Sequence, residues 1–353
     1  MLQLAAILPS CLLYALFAIW GERKISAFIQ DRLGPTEVGP KGLLQTFADI
    51  LKLMQKEDIV ADATSKLIFK TAPFIIFISV FAAFAVIPLG PGAIASDINT
   101  GVYFLMAILA LDIIGFLFAT WGSNNKFAMI SGMRTVAQMI SFEIPLSLVV
   151  LAMVMFSQTM NLDTMSQLQS IGSNVHLFGL ELGQFGGFLS WNIVVFPFSV
   201  IGFVIFVVCA LAEANRAPFD HVEAESELIA GLLTEYSGFR FSVIALAEYI
   251  MILLMGVLGA ILFFGGYNSP FPNMGFVKLS DWTSGTSGAF SGYLWAYFWL
   301  MFKAIIWVCI TMWIRWTYPR VRVDQLMHIS WKILTPAALI FVLISGVFKL
   351  MTI

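Results

Sequence analysis

Four charged residues lie inside stretches that are otherwise apolar and long enough to cross a membrane: Asp112, Glu143, Glu248 and Lys303. On insertion scales one charge at the bilayer centre costs about 2.5–3.5 kcal/mol, so four charges facing lipid would cost on the order of 10 kcal/mol. They must therefore face other helices, pair with one another or take up protons. Such groups can carry protons or ions through a membrane, and a cation such as Lys303 beside a carboxylate would favour its charged form. The alternative is a set of internal ion pairs that only holds helices together, and it stays open, above all for Asp112.

The segment 213–240 concentrates further acidic residues at the edge of an apolar stretch. Its acids are Glu213, Asp220, Glu223, Glu225, Glu227 and Glu235, and Arg216 is the basic residue among them. Apolar residues alternate with these acids, which disfavours a fully solvated surface. Crowding and loss of solvation both raise the pKa of a carboxyl group. The pattern therefore indicates carboxylates that can exchange protons near neutral pH.

Residue patterns for other chemistry are missing from the sequence. No GxGxxG follows a strand, and no GxxxxGK[ST] occurs. The cysteines and histidines are scattered without ligand spacing; they are Cys11, Cys209, Cys309, His176, His221 and His328. The sequence therefore predicts no metal, iron–sulfur, haem, flavin or nucleotide site in this chain.

The composition shows what kind of protein must position these charges. Of 353 residues, 59% are hydrophobic and 11% are charged, against roughly 25% charged residues in a typical soluble domain. So few charges cannot cover the surface of a soluble protein of this size. The formal net charge of −2 also argues against nucleic acid as a partner, because that partner needs a basic face. The chain is predicted to be an integral membrane protein in contact with membrane lipid.

Eight charge-poor windows are long enough to span a bilayer, which takes about 20 apolar residues in a helix. They are 2–21, 71–90, 101–121, 135–156, 190–212, 241–265, 291–314 and 333–350. None shows the period-two alternation of a barrel strand. We therefore predict an all-α polytopic membrane protein with eight transmembrane helices in a single domain, 1–353. The first window is expected to be a retained helix, because its charges follow the apolar run.

The loops predict the orientation. An even number of spans places both termini on one side and the segments 22–70, 122–134, 213–240 and 315–332 on the other. These four segments hold 16 of the 19 basic residues, and by the positive-inside rule they face the cytoplasm or its organelle equivalent. We therefore predict that both termini lie outside and that the large charged loops lie inside.

An amphipathic helix is predicted within the first inner loop, from Lys41 to Lys56. Its apolar side chains recur at helical spacing: Leu43, Leu44, Phe47, Ile50, Leu51 and Met54. Such a helix can lie in the membrane plane, or it can pack beneath a partner protein. The sequence does not distinguish these two arrangements.

Four stretches resemble a known family, the H subunit of bacterial NADH:quinone oxidoreductase (respiratory complex I), which corresponds to mitochondrial subunit 1. They are GERKISAFIQDRLGPTEVGPKGLLQTFADILKLMQKE (21–57), RTVAQMISFEIPL (134–146), AEANRAPFDHVEAESELIAGLLTEYSG (212–238) and PRVRVDQLMHISWKILTP (319–336). Their order and spacing fit along nearly the whole chain. His221 stands where the family commonly has an apolar residue, and Asp112 matches no position of the family.

The resemblance implies a subunit at the junction of the membrane arm and the peripheral redox arm. The implied substrate is a quinone, ubiquinone or menaquinone, and the electrons come from other subunits. The implied chamber residues are Glu22, Arg23, Arg32, Arg216, Phe219, Asp220 and Glu225, with Arg315 and Arg320 as further candidates. The implied proton-relay residues are Glu143, Glu213, Glu223, Glu227 and Glu248, to which we add Lys303 for its position inside a span.

The resemblance also implies partners and a location. The partners are the peripheral-arm subunits that complete the quinone site and the antiporter-like subunits of the membrane arm. The location is the bacterial cytoplasmic (inner) membrane, which is favoured over an organelle inner membrane. No redox activity is expected of the isolated chain.

Two alternatives stay open at this point. A membrane subunit of an energy-converting hydrogenase, or of a ferredoxin- or coenzyme-linked dehydrogenase, would share the loop architecture, although the near-complete first-loop motif favours the quinone enzyme. A stand-alone ion transporter would also suit eight spans and internal charges. Two observations argue against a transporter. No inverted repeat is visible in the sequence, and the long charged loops lie on one side only.

Overall fold

The computed structural model describes residues 2–171, 176–177, 180–181, 186–222, 229–273, 279–284 and 290–352. Its helices are α1 (Leu2–Ile29), α2 (Gln45–Gln55), α3 (Lys66–Ala83), α4 (Gly101–Ser123), α5 (Lys126–Ser157), α6 (Leu162–Gln167), α7 (Asn192–Val195), α8 (Ser199–Glu213), α9 (Gly238–Phe263), α10 (Leu279–Thr283), α11 (Phe290–Thr317), α12 (Val323–His328) and α13 (Thr335–Thr352). A π-helix, Ile329–Leu334, joins α12 to α13. Two strands of two residues, β1 (His176–Leu177) and β2 (Leu180–Glu181), pair antiparallel.

The long helices confirm the prediction of an all-α polytopic membrane protein. Within the described residues, six helical segments are long and apolar enough to cross a membrane: Lys66–Val86, α4, α5, α9, α11 and Val323–Met351. The remaining two predicted windows overlap α1 and α8. The helix α8 has 15 residues. The count of eight spans and their orientation stay predictions.

Helix ends differ from the predicted boundaries where polar residues cap helices. The predicted inner loop 122–134 is almost entirely helical, because α4 ends just before Asn124 and α5 begins directly after Asn125. Asn124 adopts a left-handed φ of 50°, and the Asn125 side chain accepts a hydrogen bond from the Phe127 amide at 2.9 Å. Asparagine favours both of these positions, so two residues suffice to reverse the chain. The charged residues from which the sequence predicted a loop therefore lie on the surface of a helix.

The predicted span 190–212 is also interrupted. The short helix α7 ends at Val195, and the continuous helix α8 begins at Ser199, after Pro197. Proline lacks the amide proton that a helix interior requires, so it stands before the helix and not inside it. The resulting α8 is about 22 Å long at 1.5 Å per residue, shorter than the hydrocarbon core of about 30 Å.

Glycines set the register of three neighbouring helices. A Cβ atom on Gly122 of α4 would lie 2.8 Å from the Phe69 amide nitrogen of α3. A Cβ atom on Gly132 of α5 would lie 2.0 Å from the side chain of Thr120 on α4. Only glycine permits these close approaches, as is common between membrane helices. The contacts fix how α3, α4 and α5 align along their length.

The end of the bundle that holds the end of α1, the start of α9 and the end of α11 is called the inner end below. The amphipathic helix α2 lies there, against α1 and α9. Its apolar side chains Phe47, Leu51 and Met54 are exposed, and so are Leu43 and Leu44 directly before it. The predicted amphipathic helix is therefore present over Gln45–Gln55, and among the described residues nothing covers its apolar face.

Candidate functional site

Glu22, near the end of α1, is the centre of a buried polar cluster at the inner end. The residue is 5% exposed. Its Oε2 accepts a 2.6 Å hydrogen bond from the Tyr249 hydroxyl, and its Oε1 accepts one from the Arg315 guanidinium. The Nη1 atom of Arg216 lies 3.7 Å from the same Oε1. A buried carboxylate is tolerated when it is paired and hydrogen-bonded in this way.

Arg216 connects Glu22 to a second carboxylate. It is 6% exposed and lies in the turn that follows α8. Its Nη2 is 4.0 Å from Oε2 of Glu248 on α9, and its guanidinium carbon lies 4.3 Å above the ring centre of Tyr249. The stacked ring and the two carboxylates stabilise the buried cation. Glu22, Arg216, Tyr249, Glu248 and Arg315 are called the arginine–carboxylate cluster below; it pairs two cations with two anions.

The turn that carries Arg216 is held from α5. The Nε2 atom of Gln138 donates hydrogen bonds to the carbonyl oxygens of Ala212, at 2.8 Å, and of Phe219, at 2.7 Å. The ring of Phe219 is buried against Phe142, with ring centres 5.4 Å apart. One amide side chain thus joins the end of α8 to the residues beyond the turn.

Asp220 belongs to a separate ion pair nearby. It is 4% exposed, and its Oδ2 lies 3.2 Å from Nη2 of Arg320. The Val321 amide also donates a 3.1 Å hydrogen bond to the Pro218 carbonyl. These contacts join the segment after α8 to the segment after α11. His221, which carried no predicted role, is buried beside this pair.

Some predicted chamber residues are not in the cluster. Arg23 forms an ion pair with Asp49, which connects α1 to α2. Arg32 is exposed on the loop after α1. Glu225, together with the predicted relay residues Glu223 and Glu227, lies outside the described residues.

Three carboxyl groups lie deeper in the bundle. Glu213, the last residue of α8, is 1% exposed, and its Oε2 has no hydrogen-bond partner among the described residues. It interacts electrostatically with Glu143 of α5 and with Asp112 of α4. Glu143 is half-buried and Asp112 is 3% exposed. We call Glu213, Glu143 and Asp112 the carboxylate trio.

Lys303, which we added to the predicted relay residues, forms no ion pair with a carboxylate among the described residues. Its Nζ donates to the carbonyl oxygens of Phe264 at 2.7 Å, Gly266 at 2.8 Å and Asn268 at 2.7 Å, beyond the end of α9. Sixteen residues of helix, or about 24 Å, separate this site from Glu248. A lysine that donates to the last carbonyls of a helix satisfies groups left without partners there. Lys303 thus caps the end of α9 and the segment that follows it, at the end of the bundle opposite the inner end.

A polar cluster surrounds Asp163 at the same end of the bundle as Lys303, outside the spans. Its Oδ1 accepts a 3.0 Å hydrogen bond from the Tyr267 hydroxyl, and its Oδ2 accepts one from Gln167 at 2.9 Å. Burial raises the pKa of the Asp163 carboxyl, while these hydrogen bonds oppose part of the rise. The carboxyl joins α6 to the segment after α9.

Sequence reasoning missed three polar residues that build the site. Tyr249 binds Glu22 directly, and Gln138 holds the turn of Arg216. The buried Tyr14 hydroxyl has no hydrogen-bond partner among the described residues and interacts electrostatically with Arg216. All three are uncharged polar residues inside apolar helices, and attention to charge alone passed over them. Within the described residues, no group of three or more His, Cys, Asp or Glu side chains could hold a metal ion.

Comparison with known proteins agrees with this architecture. The family model described as NADH dehydrogenase matches residues 2–346. An H subunit of NADH-quinone oxidoreductase from Cytophaga hutchinsonii, the one numbered 2, is 49% identical over 352 residues, covering 97% of this chain and 96% of that relative. The H subunit of the Chlorobaculum parvum enzyme is 46% identical, covering 95% and 88%, and that of the Brevibacillus brevis enzyme is 39% identical, again covering 95% and 88%. The chain therefore belongs to the family of NADH-quinone oxidoreductase H subunits.

Proposed function

We propose that the inner end of this chain forms one wall of a quinone-binding chamber, and that protonation changes there pass through buried carboxylates into the membrane arm. The arginine–carboxylate cluster carries the proposal. It brings Glu22, Arg216 and Glu248 together where three long helices meet, beside the exposed apolar face of α2. The relatives are named for the same enzyme, so the quinone enzyme is favoured over the hydrogenase and transporter alternatives.

The surroundings suit a molecule with an apolar tail and a polar head. A cavity of about 320 Å³ lies between the end of α2 and the start of α9. Its lining includes Leu53, Leu233 and Phe241 together with the polar Tyr236 and Lys56. Ligand pockets are commonly apolar with a few polar groups and begin at roughly 300 Å³. We propose that the tail of a quinone enters along α2 at this cavity and that its head group binds at the arginine–carboxylate cluster, whose residues do not line the cavity itself.

The chemistry requires protons beside the head group. Reduction of a quinone to a quinol consumes two electrons and two protons. The electrons come from other subunits, while this chain supplies charged and hydrogen-bonding groups. A change in charge at the quinone alters the balance between Glu22, Glu248 and the two arginines, because their interactions are strong where water is excluded. Glu248 is then the first carboxylate toward the membrane interior, and Glu213 and Glu143 follow.

The proposed partners cover surfaces that this chain leaves open. The peripheral-arm subunits complete the chamber at the inner end. Glu143 is half-buried although it lies deep along α5, so we propose that an antiporter-like membrane subunit covers it. The location is proposed to be the bacterial cytoplasmic membrane, with the basic loops inside. Ubiquinone and menaquinone both suit the described surface.

The proposal is tested by replacing Arg216 in the intact complex. Arg216→Ala leaves two buried carboxylates without their shared cation, and Arg216→Lys keeps the charge but loses the planar fork. We expect quinone reduction by NADH to fall by about tenfold or more in Arg216→Ala, equivalent to about 1.4 kcal/mol, with a smaller loss in Arg216→Lys. Electron transfer from NADH to an artificial acceptor should stay at the parent level.

Native gels show whether each variant is assembled before its activity is compared. Lys126→Ala, which removes an exposed cation at the start of α5, is the control and should behave like the parent. If both Arg216 variants assemble and retain the parent rate and the parent KM for quinone, the cluster does not belong to the chamber.

A further inference from the structure

Asp112 is a buried carboxyl group that the proposed chamber does not use. It is 3% exposed and lies eleven residues from each end of α4, or about 16 Å from either end. Its surroundings are apolar and include Ile113 and Phe116. An unpaired charge in such surroundings is costly, so a carboxyl group there needs either a cation or a proton.

No ion pair accounts for Asp112. Among the described residues, no basic side chain lies within ion-pair distance of it. Its polar contact is the Ser79 hydroxyl of α3, whose Oγ lies 3.3 Å from Oδ1. Ser79 also donates to the Ile76 carbonyl at 2.8 Å. Asp112 therefore faces a hydroxyl group, which can donate or accept a hydrogen bond and so suits either protonation state of the carboxyl group.

The helix register places Asp112 level with the rest of the trio. Gly132 contacts Thr120, so in the antiparallel pair of α4 and α5, residue 112 is level with residue 140. Gln138 donates to the Ala212 carbonyl, which brings the end of α8 to that same level. Glu213 interacts electrostatically with Asp112 across this layer.

From this arrangement we infer that Asp112 is a proton-holding residue of the relay and exchanges one proton with Glu213. The inference rests on the proposed function. When Asp112 donates, its carboxylic acid loses a proton and becomes a carboxylate, while the Glu213 carboxylate gains that proton and becomes neutral. The net charge of the pair does not change, so the exchange avoids placing a second charge in an apolar layer. The Ser79 hydroxyl accepts or donates a hydrogen bond as Asp112 changes state.

The test compares Asp112→Asn, Asp112→Glu and Glu213→Gln in the intact complex reconstituted into vesicles. Asp112→Asn keeps the size and the hydrogen bond with Ser79 but cannot titrate. We expect quinone-linked turnover and proton pumping to fall by about tenfold, which is less than the typical effect of a general acid or base, and the pH profile of turnover to change. Asp112→Glu should recover most of the activity, and electron transfer to an artificial acceptor should be unchanged in all variants.

The outcomes separate this inference from the proposed relay. If Asp112→Asn behaves like the parent while Glu213→Gln is impaired, Asp112 is outside the relay and the relay stands. If both behave like the parent, the relay itself is wrong. If Asp112→Asn does not assemble, Asp112→Glu is used instead. The infrared difference spectrum between the oxidised and the reduced complex is then compared between this variant and the parent. A shifted carboxyl band relative to the parent supports proton exchange at this position, and an identical spectrum overturns it.

Discussion

The Tyr249 hydroxyl donates a 2.6 Å hydrogen bond to Glu22, although 227 residues separate the two in the chain. The same tyrosine ring lies under the Arg216 guanidinium. One side chain therefore holds the anion of the cluster through its hydroxyl and the cation through its ring. This double contact fixes the distance between α1 and α9 at the inner end, where the proposed chamber begins.

Tyr249→Phe should separate these two contacts. The phenylalanine ring remains beneath Arg216, while Glu22 loses the hydrogen bond from the tyrosine hydroxyl. A hydrogen bond to a charged group contributes about 1.5–3 kcal/mol, so we expect a measurable loss of quinone turnover with normal assembly. Steady-state kinetics with varied quinone concentration check this, with Tyr103→Phe, an exposed tyrosine on α4, as the control. Parent kinetics in Tyr249→Phe would show that the ring alone suffices.

Glu22 and Arg315 should be energetically coupled. Removing either partner leaves a charge in the buried cluster, whereas removing both restores part of the balance. We expect the double variant Glu22→Gln with Arg315→Gln to lose less thermal stability than the sum of the two single variants, by at least about 1 kcal/mol. Thermal unfolding of the purified complex measures the three variants against the parent. Additive losses would mean that the contact contributes nothing.

Lys303→Met should affect stability and leave the chemistry of assembled complex unchanged. The variant leaves the three carbonyls beyond α9 without their shared donor, and each buried group left unsatisfied costs about 1–3 kcal/mol. We therefore expect a lower midpoint of thermal unfolding and less assembled complex. Turnover and pumping per assembled complex should match the parent. Normal stability with lost pumping would instead place Lys303 in the relay.

The apolar face of α2 should contact lipid in the membrane-bound chain. A cysteine at Leu51 should react with a lipid-soluble thiol reagent and resist a water-soluble one. A cysteine at Lys52, one residue further along the helix, is the matched control and should show the opposite preference. Both are introduced after Cys309, which is exposed, is replaced by Ser. Resistance of both positions to both reagents would indicate that a partner protein covers α2.

Asp163 should contribute a distinct pH dependence to stability. Because its pKa is raised in the folded chain, the folded state holds a proton that the unfolded state has released above about pH 4. Stability due to this group therefore falls as pH rises from its unfolded pKa to its folded pKa. Asp163→Asn should remove that fall. Midpoints of thermal unfolding in detergent, compared between parent and variant across the pH series, measure the difference, and parallel curves would contradict the assignment.

The helical membrane architecture could be predicted from the sequence alone. Apolar windows of about 20 residues leave few alternatives, because every backbone amide in a bilayer must be hydrogen-bonded within a helix or a closed barrel. The sequence also marked Glu248 and Glu143 as residues that must face protein, since charge is costly in lipid. The acidic segment around Arg216 and the first-loop motif indicated the family before any contact was known.

Which side chains contact each other could be determined only from the tertiary structure. A buried charge needs a compensating partner, but this requirement does not identify the partner. The register between the helices decides which group lies close enough. Lys303 shows this most clearly, because its partners are backbone carbonyls, which every residue carries and no sequence pattern distinguishes. Glu22 obtains its donors from residues 227 and 293 positions away. Arg216 likewise depends on the tertiary structure, because Asn215 adopts a left-handed φ of 50° in the turn after α8 that carries it.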